Sequence, residues 1–393
     1  MKWAGATRPL LPLAAVTAGL ASGSSLAAEW TMTPSANLLT QAQQNPRLAV
    51  DDDSKHDVSS GLGLTAGLGI LRRTERTTLS VSPLVRAYRY DDNNNLDRDE
   101  EALGITYGWV GETVSWDSNV SAARDTTLTS ELGTTGLTQG NLRHESWDVS
   151  VGPSWQLTER WRLRANAETY AHRYPDRQSA LLDYGYSTAM LSTSYVASEK
   201  LVVSLFGTAG RLNSDGNTGN TDDKSANVQL QYSWSLLTSF GAAIGRSWVT
   251  SDTGESRKGL LFNLSASHVF EKSSLSFNVS RRQAPSGRAL LTEADEASVN
   301  AATQITERLS ATATASYSKR RNVLRSFNFD LQEVRYTRAQ LGLAWVLAPN
   351  WKLGFAAGST TQQVGSDFVQ GDLTGRGFEV SLGLSWNGDP YVR

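Results

Sequence analysis

The 393-residue chain contains no cysteine, only four histidines and only three methionines. Without cysteine, a disulfide framework, a thiolate nucleophile and a cysteine-bound metal are all excluded. The 37 basic and 39 acidic residues nearly balance, which gives no reason to expect nucleic acid as a partner. No glycine-rich phosphate loop and no calcium-loop spacing is present, and we expect no cofactor, no metal and no enzyme activity.

The first residues have the three parts of a signal peptide. Lys2 and Arg8 form the basic start, residues 10–20 the apolar middle, and Ser25-Leu26-Ala27 a small-residue cleavage site. We therefore predict a signal peptide over residues 1–27 and a single domain over residues 28–393. Beyond the signal there is no run of about 18 uncharged apolar residues, so a helical membrane span is not predicted.

Runs of alternating apolar and polar residues dominate the rest of the chain, and this period of two predicts strands. Short polar breaks join them in pairs, as at residues 72–76, 111–112, 157–160, 197–200, 238–239, 271–273, 305–308 and 348–350. This criterion gives about eighteen strands, with sixteen as the alternative. They lie near residues 29–40, 57–71, 77–90, 100–110, 112–125, 143–157, 161–174, 182–196, 200–212, 225–237, 240–250, 257–270, 273–284, 293–305, 308–320, 330–347, 351–362 and 375–387.

Short connections alternate with longer ones rich in Asp, Asn and Gly, which is typical of outer-membrane barrels with short periplasmic turns and longer external loops. The fold predicted is all-β, a transmembrane antiparallel barrel in the outer membrane of a Gram-negative bacterium, with both termini in the periplasm. The low mean hydropathy of -0.35 agrees, because only alternate residues of such a strand meet lipid. A soluble propeller has a similar repeat, but its strands are usually shorter than these.

Each strand has one apolar and one polar face. Val228, Leu230 and Tyr232 illustrate the face predicted to meet lipid, and Gln229 and Gln231 the face predicted to meet a water-filled lumen. The residues predicted to line the lumen are Arg86, Tyr88, Asp117, Asn119, Asp148, Arg162, Arg164, Asn166, Glu168, Tyr170, His172, Arg282 and Arg338. Tryptophans beside short turns or chain ends are predicted to lie at the periplasmic membrane interface, namely Trp30, Trp109, Trp155, Trp161, Trp351 and Trp386.

Several segments together resemble a known family. They are Asp125 to Leu132, Gly136-Leu137, Trp147 to Pro153, Leu157 to Arg160, Asn45 to Leu48, and the single residues Trp30, Pro34, Tyr88 and Tyr90. With them the mature chain resembles a group of outer-membrane β-barrel proteins, many encoded in exopolysaccharide-secretion loci of Proteobacteria. The resemblance implies fold and location, and exopolysaccharide or its fragments as cargo. The chain departs from such barrels in its tail, because residues 387–393 follow the aromatic Trp386 that would otherwise end the last strand.

A barrel of this size leaves an aqueous channel, so the function expected is porin-like passage of polar solutes. The loop from Thr126 to Leu142 is the one we expect to constrict it if a loop folds inward. A barrel plugged by its loops, acting as an adhesin, assembly partner or phage receptor, is the alternative. The partners expected are outer-membrane lipid and lipopolysaccharide, the barrel-assembly machinery and a polysaccharide.

A lipid hydrolase is a third functional hypothesis. It would use His144, Ser146 and Asp148, which share one face of a strand. Residues in line along a strand are too far apart for the mutual hydrogen bonds of a triad. His268 near a turn is expected at the membrane interface, and His56 and the acidic run Asp51 to Asp53 in a loop.

Overall fold

The computed structural model describes residues 28–49, 58–91, 94–131, 141–175, 181–214, 219–324, 333–365 and 373–392. Almost all of these residues belong to one antiparallel sheet. No helix among the described residues is long or apolar enough to cross a membrane. The two short helices, a 3₁₀ turn at Asn94–Leu96 and α1 at Thr127–Ser130, lie in connections between strands.

The strands follow one another around the sheet in chain order. The first nine are β1 (Glu29–Gln44), β2 (Val58–Arg73), β3 (Thr77–Tyr90), β4 (Arg98–Val110), β5 (Val114–Thr126), β6 (Arg143–Gln156), β7 (Trp161–Arg173), β8 (Tyr184–Ser198) and β9 (Leu201–Ser214). The others are β10 (Thr221–Ser235), β11 (Thr238–Ser251), β12 (Ser256–Val269), β13 (Ser273–Pro285), β14 (Leu291–Gln304), β15 (Leu309–Asn322), β16 (Val334–Ala348), β17 (Trp351–Val364), β18 (Leu373–Asn387) and the two-residue β19 (Tyr391–Val392).

The first long strand pairs with the last, and this closes the sheet. β1 pairs with β2 along one edge and with β18 along the other, from Ser35 opposite Asn387 to Gln44 opposite Phe378. The result is a closed antiparallel barrel of eighteen long strands. The predicted fold class and the strand number of eighteen are confirmed.

The two ends of the barrel differ. The chain enters β1 at the end where the short turns lie, which we call the turn end, and the longer connections gather at the opposite loop end. The prediction for β3, residues 77–90, coincides with the strand observed, and the other limits differ by a few residues. The predicted break at Thr238-Ser239 was wrong, because β11 begins at Thr238 and the turn is the apolar pair Leu236-Leu237.

Apolar side chains cover the outer face of the wall. In β10, Val228 and Leu230 are both more than 40% exposed although they are large and apolar, as expected of residues that meet lipid. At the loop end, charged side chains replace the apolar residues of this band. There Glu101 opposes Arg124, which opposes Glu145, which opposes Arg173, so that opposite charges alternate across four strands.

The C-terminal tail resumes the pairing of the last strand. After Asn387 the chain bulges through residues 388–390, and Gly388 N donates to Pro34 O at 2.8 Å. Tyr391 and Val392 then pair with Met32 and Thr31 of β1. The tail that follows Trp386 is therefore an irregular continuation of the closing strand, and the last described aromatic is Tyr391.

The wall parts at one place at the loop end. β12 pairs with β13 only from Phe262 opposite Arg281 to the turn end, so residues 256–261 have no partner in β13. The upper part of the β13–β14 hairpin leaves the wall and turns into the barrel. Four consecutive residues, Leu291 to Ala294, are buried, whereas strands in the wall expose alternate side chains. Gln283 of this hairpin donates to Ser247 of β11 at 2.9 Å, with β12 between them.

The partition between lipid and lumen can be tested with two neighbouring residues of β10. Leu230→Lys places a charge on the lipid face near mid-height and should lower the free energy of unfolding by about 2–4 kcal/mol, because a cation is poorly solvated in hydrocarbon. Gln229→Lys, on the inward face, is the matched control and should have little effect. Urea titration of both variants folded into lipid vesicles gives the measurement. Equal costs for the two variants would contradict the assignment of faces.

Candidate functional site

The half of the lumen near the turn end contains exposed charged side chains. Arg164 Nη2 on β7 lies 3.0 Å from Asp117 Oδ2 on β5, and the two side chains are 46% and 58% exposed inside the barrel. Exposure of that size in the interior means that none of the described connections covers the pair. An exposed ion pair contributes little to stability, so its main consequence is a local field in the lumen.

Several lumen side chains form hydrogen bonds or ion pairs with a side chain two strands away. In the three pairs that follow, the strand between the partners has a glycine at that height. Gly152 of β6 separates Asp117 from Arg164, and a Cβ there would come within 2.8 Å of Asp117 Oδ2. Only a residue without a side chain lets the two groups meet across the intervening strand. The arrangement recurs where Tyr186 donates to Asp223 above Gly210 and where Arg338 donates to Glu379 above Gly358.

The strand register places all the predicted lumen residues on the face opposite the apolar band. The structure also shows acidic partners of the predicted arginines that the sequence analysis missed. Arg86 and Arg98 flank Glu100 at 3.5 and 3.1 Å, and Arg282 and Arg320 flank Glu296 at 2.8 and 3.2 Å. These acidic residues share the inward parity of their strands, so parity was the signal that could have found them.

Six rings from β6, β7, β8 and the connection between the last two form an aromatic wall inside the loop end. They are His144, Tyr170, His172, Tyr174, Tyr184 and Tyr186. The rings of His172 and Tyr184 are stacked with centroids 4.8 Å apart, and those of Tyr170 and Tyr186 lie 5.4 Å apart. Tyr170 and His172 were predicted lumen residues. Tyr184 and Tyr186 join them because β8 brings these tyrosines opposite β7.

The inward β13–β14 hairpin meets this wall. Leu182 N, just before β8, donates to Gly287 O at the hairpin tip at 2.9 Å. A Cβ on Gly287 would come within 2.8 Å of Tyr174 Oη and 2.6 Å of Glu131 Oε2. Along the wall β9 to β12 lie between the two partners, so the contact crosses the lumen. We call this contact region the constriction.

Apolar packing closes the sector of the lumen behind the constriction. Leu212 of β9, Val249 of β11 and Leu291 of the hairpin are buried together with Tyr174 and Tyr184. Burial raises the pKa of the Tyr174 phenol, and it lowers the pKa of Arg288 at the hairpin tip. The Tyr174 phenol therefore stays protonated and donates to Glu131 Oε1 at 2.5 Å.

A second set of inward residues at the loop end belongs to α1, β4 and the turn after β1. Thr129 of α1 donates to Glu100 of β4 at 2.6 Å, so the described start of the 126–142 connection does turn into the barrel. Residues 132–140 of that connection lie outside the described residues. Leu48 of the turn after β1 is buried against Gly377. A cavity of about 320 Å³ remains between them, lined by residues that include Gln43, Arg98, Leu128, Arg338 and Glu379.

The histidine and serine of the hydrolase reading do not come together. His144 Nδ1 lies 2.6 Å from Asp125 Oδ1, and His144 Nε2 lies 2.8 Å from His172 Nδ1. Both ring nitrogens of His144 are therefore engaged with groups other than the Ser146 hydroxyl. Since a nucleophile needs a base within hydrogen-bond reach, this geometry does not support a serine hydrolase.

The tryptophans predicted at the interface lie at the turn end, on the outer face. Trp109 opposes Trp116, and Trp351 opposes Trp386 with ring centroids 6.5 Å apart. Arg72 lies over the Trp30 ring at 5.9 Å. Further aromatic residues missed by the sequence analysis share this belt, namely Tyr195, Trp234, Phe270 and Trp345.

Of the other residues singled out in the sequence, only His268 lies in the part of the chain that the structure describes. It lies at the turn end, where its Nδ1 is 2.7 Å from the Thr238 hydroxyl and its ring is 4.2 Å from that of Phe270. His56 and Asp51 to Asp53 lie outside the described residues.

Neither the protein-family models nor the curated proteins give a match to this chain. Among solved structures, Pseudomonas aeruginosa OpdO is similar with a TM-score of 0.49 and 12% identity, over 91% of this chain and 97% of that one. P. aeruginosa OccK2 (OpdF) gives 0.48 and 11%, over 92% and 97%, and Acinetobacter baumannii OccAB4 gives 0.46 and 10%, over 93% and 98%. The closed barrel described above rests on this chain's own strand pairing.

The field of the lumen can be tested at the Asp117–Arg164 pair. Asp117→Asn removes the carboxylate and leaves the guanidinium, so the current through the barrel should become more selective for anions. Asp222→Asn is the matched control, because Asp222 faces Arg211 at 3.7 Å with similar exposure but on the outer face. Reversal potentials across a salt gradient in planar bilayers measure the change. An equal shift in both variants would contradict the assignment of Asp117 to the lumen.

Proposed function

We propose that this protein is a passive channel for polar solutes in the outer membrane of a Gram-negative bacterium. The observation that carries the proposal is the contrast along the lumen, which is wide and lined by exposed ion pairs near the turn end and narrowed by inward segments near the loop end. A wide lumen lets solutes reach a narrow region where fixed charges and rings can select among them. No covalent step is part of this function.

The proposed orientation places the turn end and both chain termini in the periplasm. The aromatic belt at the turn end suits the headgroup layer of that leaflet. The row of alternating charges from Glu101 to Arg173 at the loop end suits the charged sugars and phosphates of lipopolysaccharide. The tail paired with β1 offers Tyr391 as the terminal aromatic for the barrel-assembly machinery.

The cargo we propose is a saccharide, with exopolysaccharide or its fragments as the finer hypothesis. The aromatic wall supports this class, because flat rings pack on the apolar faces of sugars while adjacent polar groups bond their hydroxyls. Asp223, Glu296 and Arg282 are such polar groups beside Tyr170 and Tyr186. These features belong to this chain and do not depend on the family resemblance.

A barrel plugged by its loops is the second candidate function. The observation that favours it is the buried hairpin tip, which contacts the opposite wall through Leu182, Tyr174 and Glu131. Steady conductance of purified protein in planar bilayers supports the channel, and a folded barrel without conductance supports the plug.

Shortening the inward hairpin tests how much it restricts the current. Replacement of residues 286–290 by the two-residue turn Asn-Gly should increase the single-channel conductance, because the contact across the lumen is lost. Replacement of residues 252–255 by the same turn is the matched control, since that connection is largely exposed and should leave conductance unchanged. Heat-modifiable migration on gels confirms that both variants fold. Unchanged conductance in the first variant would show that the hairpin does not restrict the pathway.

The saccharide part of the proposal is tested separately. Neutral oligosaccharides added to one side should interrupt the current of the wild-type channel, and Tyr170→Ala should shorten these interruptions because a stacking surface is removed. Tyr195→Ala is the control, since it removes the same kind of ring from the outer face, beside Trp161. A conducting channel that no oligosaccharide blocks would reject the cargo and retain the channel.

A further inference from the structure

Three potential metal ligands meet at the edge of the constriction. His144 of β6, His172 of β7 and Glu131, directly after α1, each offer one ligand atom, and these atoms all lie within 4.8 Å of one another. His144 is only 1% exposed. The three residues are far apart in the chain, and they converge because the start of the β5–β6 connection turns inward onto the neighbouring strands.

Hydrogen bonds hold these groups in ligand orientation. Asp125 Oδ1 lies 2.6 Å from His144 Nδ1, so the carboxylate accepts the Nδ1 proton and leaves the Nε2 lone pair directed at His172. A carboxylate behind a histidine is the usual support of a metal ligand, since it fixes the ring and raises its basicity. The Tyr174 hydroxyl, which donates to Glu131 Oε1, fixes the third ligand in the same way.

We propose that Glu131, His144 and His172 form a binding site for a divalent transition metal ion of the zinc type. Two imidazole nitrogens and a carboxylate oxygen are a donor set that zinc accepts, with a fourth position open to water. Zinc–nitrogen distances of about 2.0–2.1 Å place tetrahedral ligands about 3.3 Å apart. The 2.8 Å between His144 Nε2 and His172 Nδ1 therefore needs to widen by only about half an ångström.

The local charge favours a cation at this place. Asp125 and Glu131 contribute two carboxylates, whereas the ligand histidines are neutral when they bind a metal. The hydrogen bond between the two imidazoles needs a proton on one of the facing nitrogens, and a metal ion would replace that proton. Binding would fasten the inward segment that carries Glu131 to the wall strands β6 and β7. The inference goes beyond solute passage, because it does not depend on the cargo or on an open lumen.

Metal titration of the untagged, detergent-solubilised protein tests the site without any measurement of transport. Zinc titrated calorimetrically should bind with a stoichiometry of one, and cobalt should give the visible absorption bands of a tetrahedral site. His144→Ala combined with His172→Ala should weaken binding at least 100-fold, and Asp125→Asn about 10–100-fold. His268→Ala removes a histidine far from the site and should bind as the wild type does.

Two results would overturn the proposal. One is a wild-type protein that binds neither zinc nor cobalt, in which case the histidines form only a hydrogen-bonded pair. The other is a double histidine variant that binds as tightly as the wild type, which would place the ion elsewhere. Should the double variant fail the heat-modifiability check for folding, Glu131→Gln takes its place. Unchanged affinity in that variant would count against the site equally.

Discussion

Pairing between β1 and β18 is the contact on which the rest of the structure depends. It gives both edge strands a partner along the whole depth of the wall, from Ser35 opposite Asn387 to Gln44 opposite Phe378. In hydrocarbon an unpaired backbone group costs several kcal/mol, so an open sheet could not remain there. Because the sheet is closed, alternate side chains of each strand point either into an enclosed lumen or to the outside. The same alternation in an open sheet would create two faces but no enclosed lumen.

Inside the barrel, several charged and polar side chains pair over an intervening strand. Neighbouring strands lie about 4.8 Å apart, so side chains two strands apart meet only where nothing stands between them. Gly152 and Gly358 provide this space beneath Asp117–Arg164 and Arg338–Glu379. Because each pair joins a cation to an anion, these pairs give the lumen local fields of both signs rather than one field of a single sign.

The sequence predicts the strands of the barrel wall, but not the segments that fold into the lumen. Strand limits follow from alternation and polar turns, which are local, and β3 was predicted at its observed limits for this reason. The turn at Leu236-Leu237 was misplaced because both residues are apolar and gave no break in the pattern. The inward hairpin depends on where pairing between β12 and β13 stops, and the approach of Glu131 to His144 and His172 depends on the inward turn of the β5–β6 connection. Both are tertiary properties, which the local alternation of a strand does not report.

The departure of the β13–β14 hairpin has a physical reason in its own residues. Pairing with β12 stops at Arg281, and β13 itself ends at Pro285, which has no N–H to donate to a ladder. Gly259 of β12 leaves space on the lumen side, into which Gln283 and Glu293 pack beside Ser247. Hydrogen bonds from side chains thus replace those lost from the backbone. This packing fills the sector in front of β9 to β12, so the hairpin narrows the lumen from that side.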